Sequence, residues 1–210
     1  MFLDIHTHHA GNKDSIVNFY QDFEKSKTAI WCSLGIHPWY ISELEKQMLS
    51  LKSYATAKKV LAIGECGIDK LSKIPMKCQI DAFQQQIDLA AQLQKPLIIH
   101  CVRAFEECLQ TLKGVKVPVV FHGFNRKFSI AEKILEQGFR FSIGKAIFQP
   151  AFQDIFKALP LENIFFETDD VEHIGIEQIY KKAAEIKNIE IDTLILQIEK
   201  NFKLFFKNER

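Results

Sequence analysis

The chain has 210 residues, 47% hydrophobic and 25% charged, which excludes a disordered polypeptide and allows one good-sized domain. Lys and Arg number 27 against 26 Asp and Glu, a formal charge of +1, so the global positive field of a nucleic-acid coat is absent and any polyanion has to be met locally. The five cysteines (Cys32, Cys66, Cys78, Cys101 and Cys108) form no C-x-x-C pair, which predicts reduced thiols in a cytoplasmic protein. No apolar run approaches the roughly 20 residues of a membrane span, and Asp4 with the His-rich start predicts no signal peptide. Short apolar or β-branched runs at 2–5, 28–34, 60–63, 97–99, 117–121, 139–143 and 163–166 predict seven strands. Most of these runs are continuous rather than alternating, as buried parallel strands are. Helical periodicity fills the gaps: Ile41, Leu44, Met48 and Leu51 share a face, as do Ile80, Phe83, Ile87 and Ala90. Ile191, Leu194, Ile198, Phe202 and Phe205 repeat the pattern near the C-terminus. Ser42 with Glu45 and Ser129 with Glu132 read as capping boxes that start helices. Pro96 and Pro118 fall where strands begin and a missing donor costs least.

No linker, repeat or low-complexity segment breaks this rhythm, so residues 1–210 are expected to form a single α/β domain with an all-parallel sheet. A doubly wound sheet would gather its polar residues at one switch point beside a Gly-rich loop. The chain has no G-x-G-x-x-G, and its polar ligand-type residues recur at the carboxyl ends of most strands. That is the pattern of a TIM-like (β/α) barrel.

Five strand ends carry the chemistry. Asp4-Ile5-His6-Thr7-His8 closes the first strand, where residues two apart face one side, so His6 and His8 can enter one site. Glu65 follows an apolar strand between Gly64 and Gly67, a place where a carboxylate needs a partner or a cation. The glycines permit unusual backbone geometry and close approach of a ligand. Pro96–His100 and Pro118–His122 are near copies, each an apolar strand ending in a histidine. Glu167-Thr168-Asp169-Asp170 follows the last strand, and at least one of its carboxylates is expected to point inward. Four histidines and two carboxylates suffice to hold two divalent cations about 3.5–4 Å apart, with an open position for water. Such ligands suit Zn, Mn, Mg, Fe or Co.

These stretches, together with Gly35-Ile36-His37-Pro38 and His122-Gly123-Phe124, resemble the TatD family of metal-dependent hydrolases, in the family's order from residue 4 to residue 169. The resemblance implies a distorted TIM barrel with two cations. His6, His8 and Asp169 would hold one, His100 and His122 the other, and Glu65 would bridge both. Glu65 and Asp169 would be the catalytic carboxylates, and the implied activity is phosphodiester hydrolysis, commonly as a deoxyribonuclease. Nucleic acid or a small phosphoester is the expected substrate, with no membrane or protein partner evident.

Three features depart from the family pattern. There is room for one helix and one strand before Gly35, so seven strands are expected and a contracted barrel. The usual Arg-Asp pair after His100 is replaced by Cys101-Val102-Arg103, which displaces Arg103 by one position. The long loop after Asp169 is missing. His37 reads equally as site lining or as support, Asp69 as a loop or supporting carboxylate, Lys145 as a contact for an anionic substrate or a solvated lysine. His9 and His173 read as loop and helix-entry residues, and Cys66 and Cys101 as packing rather than nucleophiles. The competing readings are an amide or lactone hydrolase, a PHP-type phosphoesterase, and a metal-binding protein without catalysis.

Overall fold

The structure, a computed structural model, describes residues 1–10 and 12–207. Among these the strands are β1 (Asp4–Thr7), β2 (Ser15–Phe19), β3 (Trp31–Leu34), β4 (Val60–Asp69), β5 (Leu97–Val102), β6 (Val119–Phe121), β7 (Arg140–Ile143) and β8 (Ile164–Phe166). The α-helices are α1 (Leu44–Ala55), α2 (Met76–Leu93), α3 (Phe105–Thr111), α4 (Phe128–Glu136), α5 (Pro150–Ala158), α6 (Ile176–Lys187) and α7 (Ile191–Phe206). The eight strands belong to one sheet and follow one another in it in chain order. No described helix is long and apolar enough to cross a membrane.

The expectation of seven strands is corrected to eight by β2, Ser15-Ile16-Val17-Asn18-Phe19. Its first four residues are buried although two are polar, and that polarity hid a five-residue strand in the sequence. Only a short 3-10 helix, Phe23–Thr28, separates β2 from β3, so two strands fit where a helix and one strand were expected. The capping boxes are also corrected. α1 starts at Leu44 and α4 at Phe128, neither with a side-chain cap, and Ser129 already lies inside α4. Ser42 instead donates its backbone N–H to Gln47 Oε1 at 3.0 Å.

The chain divides into two compact units. One comprises Ile16–Val120, with β2 through β5 pairing in parallel in the registers Ile16↔Trp31, Cys32↔Val60 and Gly67↔His100. The register of β4 against β5 slips between Ile63 and Cys66, which sets Gly64 and Glu65 against one residue, Ile98. Such a bulge kinks a strand and re-aims a side chain. Gly64 (φ +147°) and Gly67 (φ +142°) adopt backbone that side chains rarely allow, and a Cβ on them would strike the carbonyl oxygens of Ile98 and His100. What approaches these glycines is the neighbouring strand. Helix α2 buries Phe83, Ile87 and Ala90 together with two glutamines, Gln79 and Gln86.

The other unit comprises Met1–Ser15 and the chain from Phe121 onward. β7 and β8 pair in parallel, and β8 leads back to β1: Asp169 donates its N–H to the His6 carbonyl at 2.9 Å, and His8 donates to the Asp169 carbonyl at 3.0 Å. A phenylalanine-rich core holds the unit. Phe165 meets Phe205 at 5.2 Å between ring centroids, Phe166 meets Tyr180 at 4.6 Å, and the Tyr180 hydroxyl donates to the Leu3 carbonyl at 3.0 Å. Each such ring, fully buried, contributes roughly 1.5–3 kcal/mol.

Candidate functional site

In the unit built on β1, β7 and β8, ligand atoms of His6, His122 and Asp169 lie within 4.8 Å of one another. The β1 pleat turns His6 inward, and the strand's continuation brings His8 beside it, with ring centroids 5.2 Å apart. Asp169 sits just past β8 with a left-handed backbone (φ +55°). Burial by itself would raise its carboxyl, but the imidazoles of His6 and His8 and the charge of His122 outweigh that and hold it well below the usual carboxylate range. Glu167, fully buried, accepts the Gly123 N–H at 2.6 Å and stands 3.6 Å from His122 Nδ1. Behind these residues Thr168 donates its hydroxyl to Asp4 Oδ2 at 2.6 Å, and burial pushes the Asp4 carboxyl up to about 7.

In the Ile16–Val120 unit the corresponding group is His37, Glu65 and His100. Glu65 is 3% exposed. The bulge removes its N–H from the ladder, and Asn18 of β2 satisfies it: Asn18 Oδ1 accepts that N–H at 2.9 Å, and Asn18 Nδ2 donates to Glu65 Oε2 at 3.3 Å. His100 stands between two carboxylates, with Nδ1 2.5 Å from Glu65 Oε1 and Nε2 3.0 Å from Asp69 Oδ2. Burial would raise Asp69, but His100, the Leu71 N–H and Trp39 Nε1 bring it below its ordinary value. The buried glutamines of α2 fix both flanks of this group. Gln79 Oε1 accepts the Asp69 N–H at 2.8 Å, and Gln86 Oε1 accepts the Ile36 N–H at 2.7 Å, one residue before His37.

A cation holding two ligand atoms at about 2.0–2.2 Å in a tetrahedral arrangement sets them about 3.3–3.6 Å apart. His6 Nε2 and His8 Nε2 lie 3.5 and 3.4 Å from Asp169 Oδ1. His37 Nε2 lies 3.4 Å from Glu65 Oε1 and 3.3 Å from His100 Nδ1. These spacings match those of paired cation ligands, and the mixed nitrogen and oxygen donors suit a divalent transition metal. Both groups fit a cation.

Of the residues singled out in the sequence, His6, His8, His122 and Asp169 gather in one unit, and Glu65, His37 and His100 in the other. Lys145 is exposed, 3.4 Å from Asp170 Oδ1, and lines a cavity of about 110 Å³ with Asn125, Glu167 and Asp169. Arg103 is exposed, with φ +55°. His9 and His173 are exposed, and Cys66 is fully buried, which pushes its thiol well up. Sequence reasoning missed Asn18, Trp39, Gln79 and Gln86. The signal available for Asn18 was a lone amide inside an Ile-Val-x-Phe run. For the glutamines it was their place on the apolar face of α2.

Together these features define a class: parallel α/β proteins that carry groups able to hold a cation at the carboxyl ends of their strands. The family model described as TatD related DNase matches residues 7–207. An uncharacterized metal-dependent hydrolase of Buchnera aphidicola subsp. Baizongia pistaciae is 32% identical, covering 91% of this chain and 80% of the relative. A protein of Pantoea ananatis named 3'-5' ssDNA/RNA exonuclease TatD is 30% identical over 66% of this chain and 57% of its own length. The solved structure of the TatD homolog YjjV of Escherichia coli K12 matches with a TM-score of 0.85 at 22% identity, over 99% of this chain and 100% of that one. The chain belongs to the TatD family of metal-dependent hydrolases, and its fold is a TIM-like parallel barrel fold of eight strands.

Proposed function

We propose that this chain is a phosphodiesterase of the deoxyribonuclease type, working as one domain with two divalent cations of the Zn, Mn, Mg, Fe or Co class. The observation that carries the proposal is the presence in each unit of a His–carboxylate group at cation-ligand spacing, His6, His8, His122 and Asp169 in one and His37, Glu65 and His100 in the other. Divalent cations there supply Lewis acidity toward phosphoryl oxygens and a water nucleophile at neutral pH. The chain's own residues orient and balance. Asp169, ionised through the neutral range, accepts a proton from the attacking water at its carboxylate. Glu65 is a charge-balancing carboxylate that Asn18 keeps from turning away. Asp69 holds the His100 ring from behind, so that Nδ1 faces Glu65. Carboxylate support of this kind sets the tautomer and orientation of a ligating histidine.

The Pantoea relative's name supports single-stranded nucleic acid as the substrate class. The chain's own features point the same way. With a charge of +1 and an exposed, displaced Arg103, it has little to hold the flanks of a long duplex. Lys145, beside the cavity that includes Asp169, is assigned a contact with the anionic substrate. The test is metal analysis of the purified protein combined with turnover of a phosphodiester, a phosphomonoester and an amide panel. The expected result is cation-dependent hydrolysis with the phosphodiester preferred. Preference for the amides would overturn the phosphodiesterase assignment, and absence of bound or activating cation would overturn the two-cation one.

A further inference from the structure

We infer that Tyr40, backed by Tyr20 and flanked by Trp39, forms a stacking platform for a nucleobase of a single-stranded substrate, next to the His37–Glu65–His100 group. Resting on the proposed phosphodiesterase reading, this names the grip that reading lacks.

Trp39 is 49% exposed and Tyr40 40% exposed, consecutive residues in the loop that follows β3 and His37. Single exposed aromatics are ordinary, but these are held in place. Trp39 donates its backbone N–H to His37 Nδ1 at 3.1 Å and its indole N–H to Asp69 Oδ2 at 2.5 Å. Tyr40 donates its N–H to the His37 carbonyl at 3.0 Å and accepts from Gln47 Nε2 at 2.8 Å through its own carbonyl. Tyr20 lies against Tyr40 in a stacked arrangement, with ring centroids 5.0 Å apart and planes 19° off parallel. Both rings reach His37, at 5.9 Å and 5.6 Å.

Two aromatic side chains are thus exposed beside cation ligands, on a loop whose polar groups are tied down. Keeping such rings exposed and rigid pre-organises a flat apolar surface, which lowers the ordering cost of a flat ligand. Nucleobases have that shape, and stacking them is tolerant of sequence. A chain of charge +1 neutralises few phosphates, so affinity for a strand has to come from something other than counterion release. Stacking on Tyr40 supplies it without a basic surface.

The test is a fluorescence titration of the chelated full chain with a single-stranded thymidine pentamer and with the same pentamer abasic at its 3′ end. The chain's two tryptophans are Trp31 and Trp39, and Trp31 is buried, so quenching reads Trp39. The parent should bind the base-bearing oligomer more tightly and be quenched by it. Tyr40→Ala should lose roughly ten- to hundredfold in affinity for that oligomer alone. Tyr40→Phe, which keeps the ring, should behave as the parent does. Equal affinity of the parent for the two oligomers, or an equal loss for both in Tyr40→Ala, overturns the platform and needs no catalysis to be seen. Failure of the parent to cleave any phosphodiester with Mn²⁺ added overturns the underlying reading instead.

Discussion

Glu65 concentrates the residue-scale argument, because a carboxylate buried that deeply is costly unless its charge is balanced. The partners described for it include the Asn18 amide and the imidazoles of His37 and His100. Glu65→Gln keeps the shape and removes the charge. It should lower turnover of a phosphodiester by at least about a hundredfold, in line with losses on removing a strong charge-stabilising group, and reduce bound cation. His173→Ala, on an exposed residue with no assigned role, should leave both unchanged. Parallel kinetics and metal analysis of the two variants check this, and equal losses would show the ligand assignment to be wrong. Asp169 adds a second residue-scale feature. A non-glycine residue at φ +55° costs of order 1–3 kcal/mol, and the backbone bonds it exchanges with His6 and His8 hold it there.

At the scale of elements, α2 is more than a packing layer. Its inward face mixes Phe83 and Ile87 with Gln79 and Gln86, and the glutamines hold the backbone at Asp69 and Ile36. Gln86→Leu would bury the Ile36 N–H and carbonyl without partners. It should destabilise the fold by about 1–3 kcal/mol and raise KM, as the His37 loop loosens. Urea unfolding and steady-state kinetics on one preparation measure both effects. Helix α6 supplies a pH-dependent case. Lys187, in its last turn, is half-buried over the Phe156 ring, donates to the Lys157 and Leu159 carbonyls, and is pushed by burial down from 10.5 to about 8. The unfolded chain therefore binds the extra proton between about pH 8 and 10.5, and stability from this residue rises with pH through that window. Unfolding curves at about pH 7.5, below that window, and at about pH 8.5 and 9.5, inside it, should show the parent gaining on Lys187→Met as pH rises. A constant difference would mean the ammonium is not desolvated.

For the whole molecule, the cores do not depend on cations. A chain of this length buries roughly two-thirds or more of its unfolded surface without any metal staple. Chelation should therefore abolish hydrolysis and leave the far-UV circular dichroism unchanged, and returning the cation should restore turnover. Loss of secondary structure on chelation would assign the cations a structural role.

Much of this architecture was legible in the residues, and the reason is locality. Continuous apolar runs such as Leu97-Ile98-Ile99, the prolines before β5 and β6, and histidines and carboxylates at strand ends are properties of a few neighbouring residues. Those properties fixed the parallel α/β class and the identity of the candidate ligands. The strand β2 escaped because its buried Ser15 and Asn18 break the apolar run; Ser15 Oγ donates to the Asn12 carbonyl, and Asn18 serves Glu65 and Ser33 rather than solvent. The bulge at Gly64–Glu65, the assignment of Asp69 to His100, and the gathering of His122 with His6 and Asp169 were decided only by tertiary structure. Each is a contact between residues distant in the chain, and no local propensity encodes which strand end a side chain meets once the sheet has formed.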